Sequence, residues 1–236
     1  MSTVHGGPGN IVTNGLVLNL NAANPRSYAP PYTGTTWTDL SGNGNNGTLT
    51  NGPTFNSSNG GSIVFDGVDD VVTLNTPNDA PSATSYSQGF WFKRSTINSF
   101  SGFVGFGQNS IENNRFLIQA WNDSLVYLTI NNAWGSFVSN DTNWHHIFMC
   151  FNGLQSNNAS RLIGYLDGSQ IPLTFTGTIP NSLSNVVYTG YRVGRTFTIG
   201  NVYGASNISV VQVYNRALTA QEVSQNFNAT RARFGI

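Results

Sequence analysis

The sequence predicts an all-β protein: two antiparallel sheets packed face to face, followed by one short C-terminal helix. Three observations lead there. Short apolar runs alternate with clusters of Gly, Asn, Asp and Ser at roughly the 8–12-residue spacing of sandwiches and barrels. Two runs, Phe90-Trp91-Phe92 and Trp144 to Phe151, are apolar on both faces, as interior strands of stacked sheets are. Thr219-Ala-Gln-Glu222 has the form of a capping box and opens the one stretch with helical periodicity.

In chain order, residues 1–14 are rich in Gly and Pro and lack apolar periodicity, which predicts an arm that needs another surface to be ordered. Leu16–Leu20 is the first strand of a domain expected to span 15–230. Residues 21–61 are turn-rich, the mark of a functional segment or one pinned to a sandwich surface. Ser62–Phe65 and Val71–Leu74 read as a hairpin around Asp66-Gly67. Tyr86–Lys93, Gly102–Phe106, Arg115–Ala120, Leu125–Ile130 and Trp144–Phe151 follow as strands. Arg161–Asp167 and Ile171–Phe175 read as a second hairpin around Asp167-Gly168, and Asn207–Tyr214 is a long last strand. The helix is expected over 219–229, with Thr219 as N-cap, Glu222 at N3, and Leu218 and Val223 as hydrophobic staple. Val223 and Phe227, four apart, should face the sandwich. A tail, 231–236, completes the chain.

Charge is scarce. Of 236 residues, 8% are charged, 10 basic and 10 acidic, for a formal net charge of zero, against about 25% in an average soluble domain. Ten scattered cations do not build a nucleic-acid surface, which needs clustered Lys and Arg. A neutral surface has little repulsion between copies, so self-association is expected. The single cysteine, Cys150, lies among Phe148, Met149 and Phe151 and reads as a buried structural thiol. No apolar run is long enough to span a membrane. The first residues carry no secretory pattern, so synthesis in a cytoplasm without that export route is expected.

Several segments then point to a family. They are Gly15-Leu-Val-Leu-Asn-Leu-Asn-Ala-Ala-Asn-Pro25, Trp37 to Leu49, Phe65-Asp-Gly-Val-Asp-Asp70, Trp144-His-His146, Tyr165-Leu-Asp-Gly168 and Val213-Tyr-Asn-Arg-Ala-Leu218. In this order they resemble the concanavalin A-like lectin/glucanase superfamily, in its laminin-G-like jelly-roll branch. The beginning and the ending Gln225 to Gly235 further resemble virion structural proteins of tailed bacteriophages, including cyanophages. The resemblance implies a jelly-roll sandwich over nearly the whole chain. One departure is plain: the acidic pair frequent in the family's last strand is replaced by Ser209 and Val210.

The candidate sites are few. Glucanases of this superfamily need carboxylates on alternate positions of one strand, because hydrolysis uses an acid and a nucleophile a few ångströms apart. The chain has two glutamates, Glu112 and Glu222, and no such pattern. No catalytic residue is therefore assigned and no enzyme is expected. His145 and His146, adjacent on a strand, face opposite sides and cannot share one metal. No Gly-x-Ser-x-Gly nucleophile motif accompanies them. Asp66, Asp69 and Asp70 form the acidic cluster of the sequence; their oxygens suit calcium, and equally suit a turn. Trp121 and Trp134 flank Leu125–Ile130 among polar residues. With Asp123 and Asn132 they are the glycan-contact candidates, since an aromatic face with a polar edge suits sugar rings.

Two functions fit these readings best, ahead of a third, a bacterial lectin-like module outside any virus, which the missing secretory pattern disfavours. The first is a virion structural protein of a tailed phage, made in the host cytoplasm. It would be a capsid decoration or cement protein on the particle surface, a homo-oligomer partnered by the major capsid protein or other virion subunits. The alternative is a carbohydrate-binding adhesin on a tail or head fibre, partnered by a host surface glycan. Neither requires nucleic acid, membrane or cofactor, calcium at the aspartates excepted.

Overall fold

The computed structural model describes residues 10–74, 84–97, 99–107, 115–183, 190–196 and 202–236. In chain order its strands begin with β1 (Leu16–Asn21), β2 (Thr36–Trp37), β3 (Gly47–Thr50), β4 (Thr54–Asn56), β5 (Ser62–Asp66) and β6 (Val71–Leu74). The long middle strands are β7 (Ser85–Arg94), β8 (Ser101–Gly107), β9 (Arg115–Ala120), β10 (Leu125–Ile130), β11 (Ala133–Val138) and β12 (Trp144–Asn152). After a single turn of helix, α1 (Asn158–Arg161), come β13 (Leu162–Leu166), β14 (Ser169–Ile171), β15 (Thr174–Thr176), β16 (Tyr191–Val193) and β17 (Ala205–Tyr214). The helix α2 (Ala220–Thr230) and a 3-10 turn at Arg231–Arg233 end the chain.

These strands form two antiparallel sheets, a jelly-roll sandwich as the sequence predicts. The eight-stranded sheet runs β14-β13-β12-β7-β17-β5-β4, with β1 also on β17. The nine-stranded sheet runs β15-β11-β10-β9-β8-β16-β6-β3-β2. β7, expected as an interior strand, lies between β12 and β17. Its alternation explains the apolar run: Phe90 and Phe92 enter the main core, while Trp91 joins a separate cluster with Val210 and Phe234. Val126, Leu128 and Ile130 of β10 reach the same core from the other sheet. Cys150 is buried and free, as expected.

The first expected hairpin does not form. β5 pairs with β4 and β17, and β6 pairs with β3 and β16, so Asp66–Asp70 carries the chain from one sheet to the other. Ile63 and Phe65 point into the core from one side and Val72 and Leu74 from the other. Both strands therefore bury apolar faces across the sandwich, and neither pairs with the other. The second hairpin is half right: β13 and β14 close around Asp167-Gly168. Beyond Pro172, β15 leaves to pair with β11 in the opposite sheet.

The helix follows its local signals. The Thr219 hydroxyl accepts from Glu222 N–H and the Glu222 carboxylate accepts from Thr219 N–H, the reciprocal capping box. Leu218 and Val223 are buried together against Phe148 and Tyr214. Phe227 stacks beside Trp91 at 5.7 Å, and Phe234 lies flat on the same indole at 3.9 Å and 12°. Helix and tail thus cover the outer face of the eight-stranded sheet.

Residues 10–14, expected within an arm that borrows a foreign surface, find their surface on this chain. Val12 N–H donates to Asn226 Oδ1 at 2.8 Å, the Tyr214 hydroxyl donates to Val12 O at 2.9 Å, and Gln225 donates to Asn10 O at 2.7 Å. Residues 1–9 of that arm lie outside the described residues.

Candidate functional site

Strand register builds a row of side chains on the outer face of the nine-stranded sheet. Since Val126, Leu128 and Ile130 point inward, Tyr127 and Thr129 point outward. Tyr127 pairs with Gln119 on one side and Ser136 on the other, and Thr129 pairs with Trp134. Trp121 leaves the end of β9 and folds back over this face. Its ring stacks on Tyr127 at 4.5 Å and 29°, and stands 6.0 Å from Trp134. Trp134 meets Tyr127 edge-on at 6.2 Å and 72°. Both indoles are half-buried, so each keeps surface open to solvent.

The polar edge of this platform comes from the β9–β10 turn. Asp123 accepts from Leu125 N–H at 3.1 Å, and its other oxygen accepts the Tyr127 hydroxyl. Burial, then this hydrogen bond, pushes the Tyr127 phenol up to about 12, so it stays a proton donor at physiological pH. The turn is anchored from below. Ser139 N–H donates to Ser124 O at 2.9 Å, and the buried Arg94 guanidinium donates to Ser139 O at 3.0 Å. Burial lowers the Arg94 pKa while the Asp123 and Asp141 carboxylates raise it.

Of the four glycan candidates, Trp121, Asp123 and Trp134 come together around Tyr127. Asn132 does not. It sits in the β10–β11 turn at the far end of β10, its carbonyl within 3.5 Å of Arg115 Nη2. Six residues of strand put it roughly 20 Å from the Asp123 turn. Tyr127 escaped the sequence reading, although the alternation of Leu125–Ile130 marks it as outward-facing.

The aspartates cluster as their spacing suggests. One carboxylate oxygen from each of Asp66, Asp69 and Asp70 lies within 4.8 Å of the others. Two of the three already close the turn: Asp66 Oδ1 accepts from Val68 N–H at 2.8 Å, and Asp70 Oδ2 from Asp66 N–H at 2.9 Å. Burial raises the Asp70 pKa, and the charges of Asp66 and Asp69 add to it. The remaining oxygens are the ones a calcium ion would use.

The histidines separate as expected. Asp167 lies 2.7 Å from His145 Nδ1 and Asp141 lies 3.0 Å from Nε2, so carboxylates hold both nitrogens and neither is left for a serine. His146 is buried against Trp91 and Phe148. Glu222 is bound to Arg216 at 2.6 Å; Glu112 lies outside the described residues.

A family model of the concanavalin A-like lectin/glucanases superfamily, of laminin-G type, matches residues 66–224, more than half of the chain. The chain belongs to this superfamily. Solved structures agree on the fold. Trypanosoma rangeli sialidase in complex with sialic acid superposes with a TM-score of 0.67 at 12% identity, covering 93% of this chain and 33% of the sialidase. The binding domain of botulinum neurotoxin DC in complex with rat synaptotagmin II gives 0.67 at 14%, covering 93% and 52%. The receptor-binding domain of the botulinum neurotoxin C/D mosaic serotype gives 0.63 at 13%, covering 92% and 51%. The superfamily member described here thus spans from a third to about half the length of these proteins. No curated protein sequence matches it.

These findings overturn the expectation of a capsid decoration protein. The family model and the structural neighbours named above bring sialidases and toxin binding domains, with nothing of a virion among them. They agree better with the glycan-binding alternative. The phage resemblance rested on short phrases at the two ends, and 10–14 and 220–236 are accounted for by packing on this chain's own sheet.

Proposed function

We propose that this protein is a non-enzymatic carbohydrate-binding module, and that it holds a sugar on the Trp121–Tyr127–Trp134 platform. The observation that carries this reading is the aromatic trio itself. Three rings from three consecutive strand segments converge on an outer sheet face, with a carboxylate at their edge. Core packing does not need two half-open indoles there, whereas a sugar ring needs both an apolar plane and a polar rim. Trp121 and Trp134 supply the planes. Asp123, oriented by Leu125 N–H and Tyr127, supplies an acceptor for sugar hydroxyls. The sialic acid complex of T. rangeli sialidase and the receptor-binding domain of the botulinum neurotoxin C/D mosaic serotype are in keeping with recognition as the use of this fold.

Absence of catalysis is part of the proposal. Among the described residues, the cluster of three acids is Asp66, Asp69 and Asp70, and two of these serve a turn. Glu222 serves the helix cap and an ion pair. Among the described residues, no acid–nucleophile pair of the glucanase type is laid out along one strand.

A glycan array probed with the fluorescently labelled chain tests the reading. Binding to at least one glycan class is expected, with a loss of tenfold or more in Trp121→Ala and in Trp134→Ala, corresponding to about 1.4 kcal/mol or more each. Both rings lie outside the main core, so both variants should stay folded. An array with no signal for the parent chain sinks the proposal.

A further inference from the structure

A second concavity lies on the other side of the sandwich. It is a cleft of about 360 Å3 between the ends of β7 and β12 and the C-terminal helix and tail. That is within the usual range for a small-molecule site. Lys93 and Trp144 are direct cross-strand partners and share the outward face, so amine and indole stand side by side at its mouth. The Trp144 ring is held in place: its Nε1 donates to Asn59 Oδ1 at 3.1 Å, and Phe234 packs at 4.8 Å. Phe227 closes the apolar side.

The polar side is formed by Lys93, Asn143 and Asp167. Asn143 is placed by a turn in which its N–H donates to Asp141 Oδ1 at 2.8 Å. Asp167 spans His145 and the N–H of His146, at 2.7 and 2.8 Å. The hydrogen bond to Asp167, against the opposing effect of burial, raises the His145 pKa to about 8, so the ring is cationic at neutral pH. One charge of each sign, Lys93 and Asp167, then lines the cleft, with the His145 ring tied to Asp167. An anion would meet Asp167 and a cation would meet Lys93, so neither sign is favoured. A ring that is apolar on one face and carries neutral hydroxyls fits both walls. Its face rests on Trp144 and Phe234, and its hydroxyls meet the Lys93 ammonium, the Asn143 amide and the Asp167 carboxylate, the last held in place by two hydrogen bonds.

We infer that the cleft beside Trp144 is a second saccharide site, specific for a neutral sugar ring, on the sheet opposite the Trp121–Trp134 platform. It stands on its own residues and does not depend on the first site.

Saturation-transfer difference NMR tests it, using the methyl α-glycosides of glucose, galactose, mannose and N-acetylglucosamine as probes on the full chain. The Trp121→Ala/Trp134→Ala chain should still receive transfer from at least one probe. Adding Lys93→Ala or Trp144→Phe should cut that residual signal fivefold or more. Lys93 is exposed, so its truncation leaves the fold intact, which circular dichroism verifies. N-acetylneuraminic acid, being anionic, should show weaker transfer than the best neutral probe. The inference fails if the platform-deleted chain shows no transfer, if Lys93→Ala leaves the residual signal unchanged, or if the acidic sugar is preferred. Failure of the platform would show differently, as wild type and Trp121→Ala/Trp134→Ala giving the same signal.

Discussion

His145 and His146 are neighbours on β12, and strand alternation sends their rings to opposite sides of the sheet, which adjacency alone made legible. What adjacency could not show is the company each keeps. His145 meets Asp167 from the β13–β14 turn and Asp141 from its own approach to the strand, and its pKa rises to about 8. His146, walled in by Trp91, Phe148 and Phe227, falls to about 3 because burial penalises its charge. The two shifts act on stability with opposite sign. For His145 the folded value lies above the ordinary 6.5, so its contribution is complete below pH 6.5 and is lost as pH rises through about 8. For His146 the folded value lies below 6.5, so stability is lost as pH falls from 6.5 toward 3. In Asp167→Asn, the His145 titration followed by NMR should move back toward 6.5, and the alkaline loss of stability should shrink. The acid-side loss due to His146 should persist. A His145 midpoint that stays near 8 in this variant would show that Asp167 is not the group that sets it.

At the level of elements, signals carried within a few residues were readable and pairings between distant segments were not. Thr219, Glu222, Leu218 and Val223 lie within six positions, and their cap and staple form as the sequence predicts. The Asp66–Asp70 turn shows the opposite case: its Asp-Gly step reads as a hairpin, yet β5 is claimed by β17 and β6 by β16, strands more than a hundred residues away. The Trp121–Tyr127–Trp134 platform combines both. Its tryptophans stood out as aromatic residues in polar turns, but Tyr127 joined them, and Asn132 was left behind, through the register of β9, β10 and β11. The cap can be tested directly. Hydrogen bonds from Arg216, then backbone and hydroxyl bonds from Thr219, hold the Glu222 carboxyl down to about 2 against the opposing effect of burial. Its folded value is below its ordinary 4.5, so the stabilisation is present above pH 4.5 and is lost as pH falls through about 2. Glu222→Gln should therefore cost about 1 kcal/mol near pH 7. In urea denaturation the gap between the two proteins should narrow at pH 3. An equal gap at both pH values would remove the charge from the explanation.

For the molecule as a whole, the two ends of the chain are a single structural unit. β1 lies against the second half of β17, and the chain then passes directly into α2, which residues 10–14 clasp from the N-terminal side. Val12 is buried in the same cluster as Leu218 and Val223, so the N-terminal segment completes the packing of the C-terminal helix. Removing it should weaken the helix end of the eight-stranded sheet while leaving the nine-stranded sheet, and the platform on it, untouched. A chain beginning at Gly15 loses the burial of Val12, worth about 1.5 kcal/mol. It also loses five hydrogen bonds of about 1 kcal/mol each, the three at Asn10 and Val12 and those from Leu16 N–H to Thr13 O and from Arg216 Nε to Asn14 O. Against this stands the released ordering cost of five residues, on the order of 1 kcal/mol apiece or slightly less. Few kcal/mol survive that cancellation, but Tyr214 and Asn226 lose partners while remaining beneath the helix. They can still bond to each other, at 3.0 Å, which limits the damage. A net loss of about 1–2 kcal/mol follows, a fall of roughly 3–6 °C in midpoint for a domain of this size. Differential scanning calorimetry measures it, and the array signal of the shortened chain should match that of the parent. An unchanged midpoint would mean that residues 10–14 rest on the sandwich without supporting it; a lost array signal would mean that the two sheets are coupled more tightly than their separate faces imply.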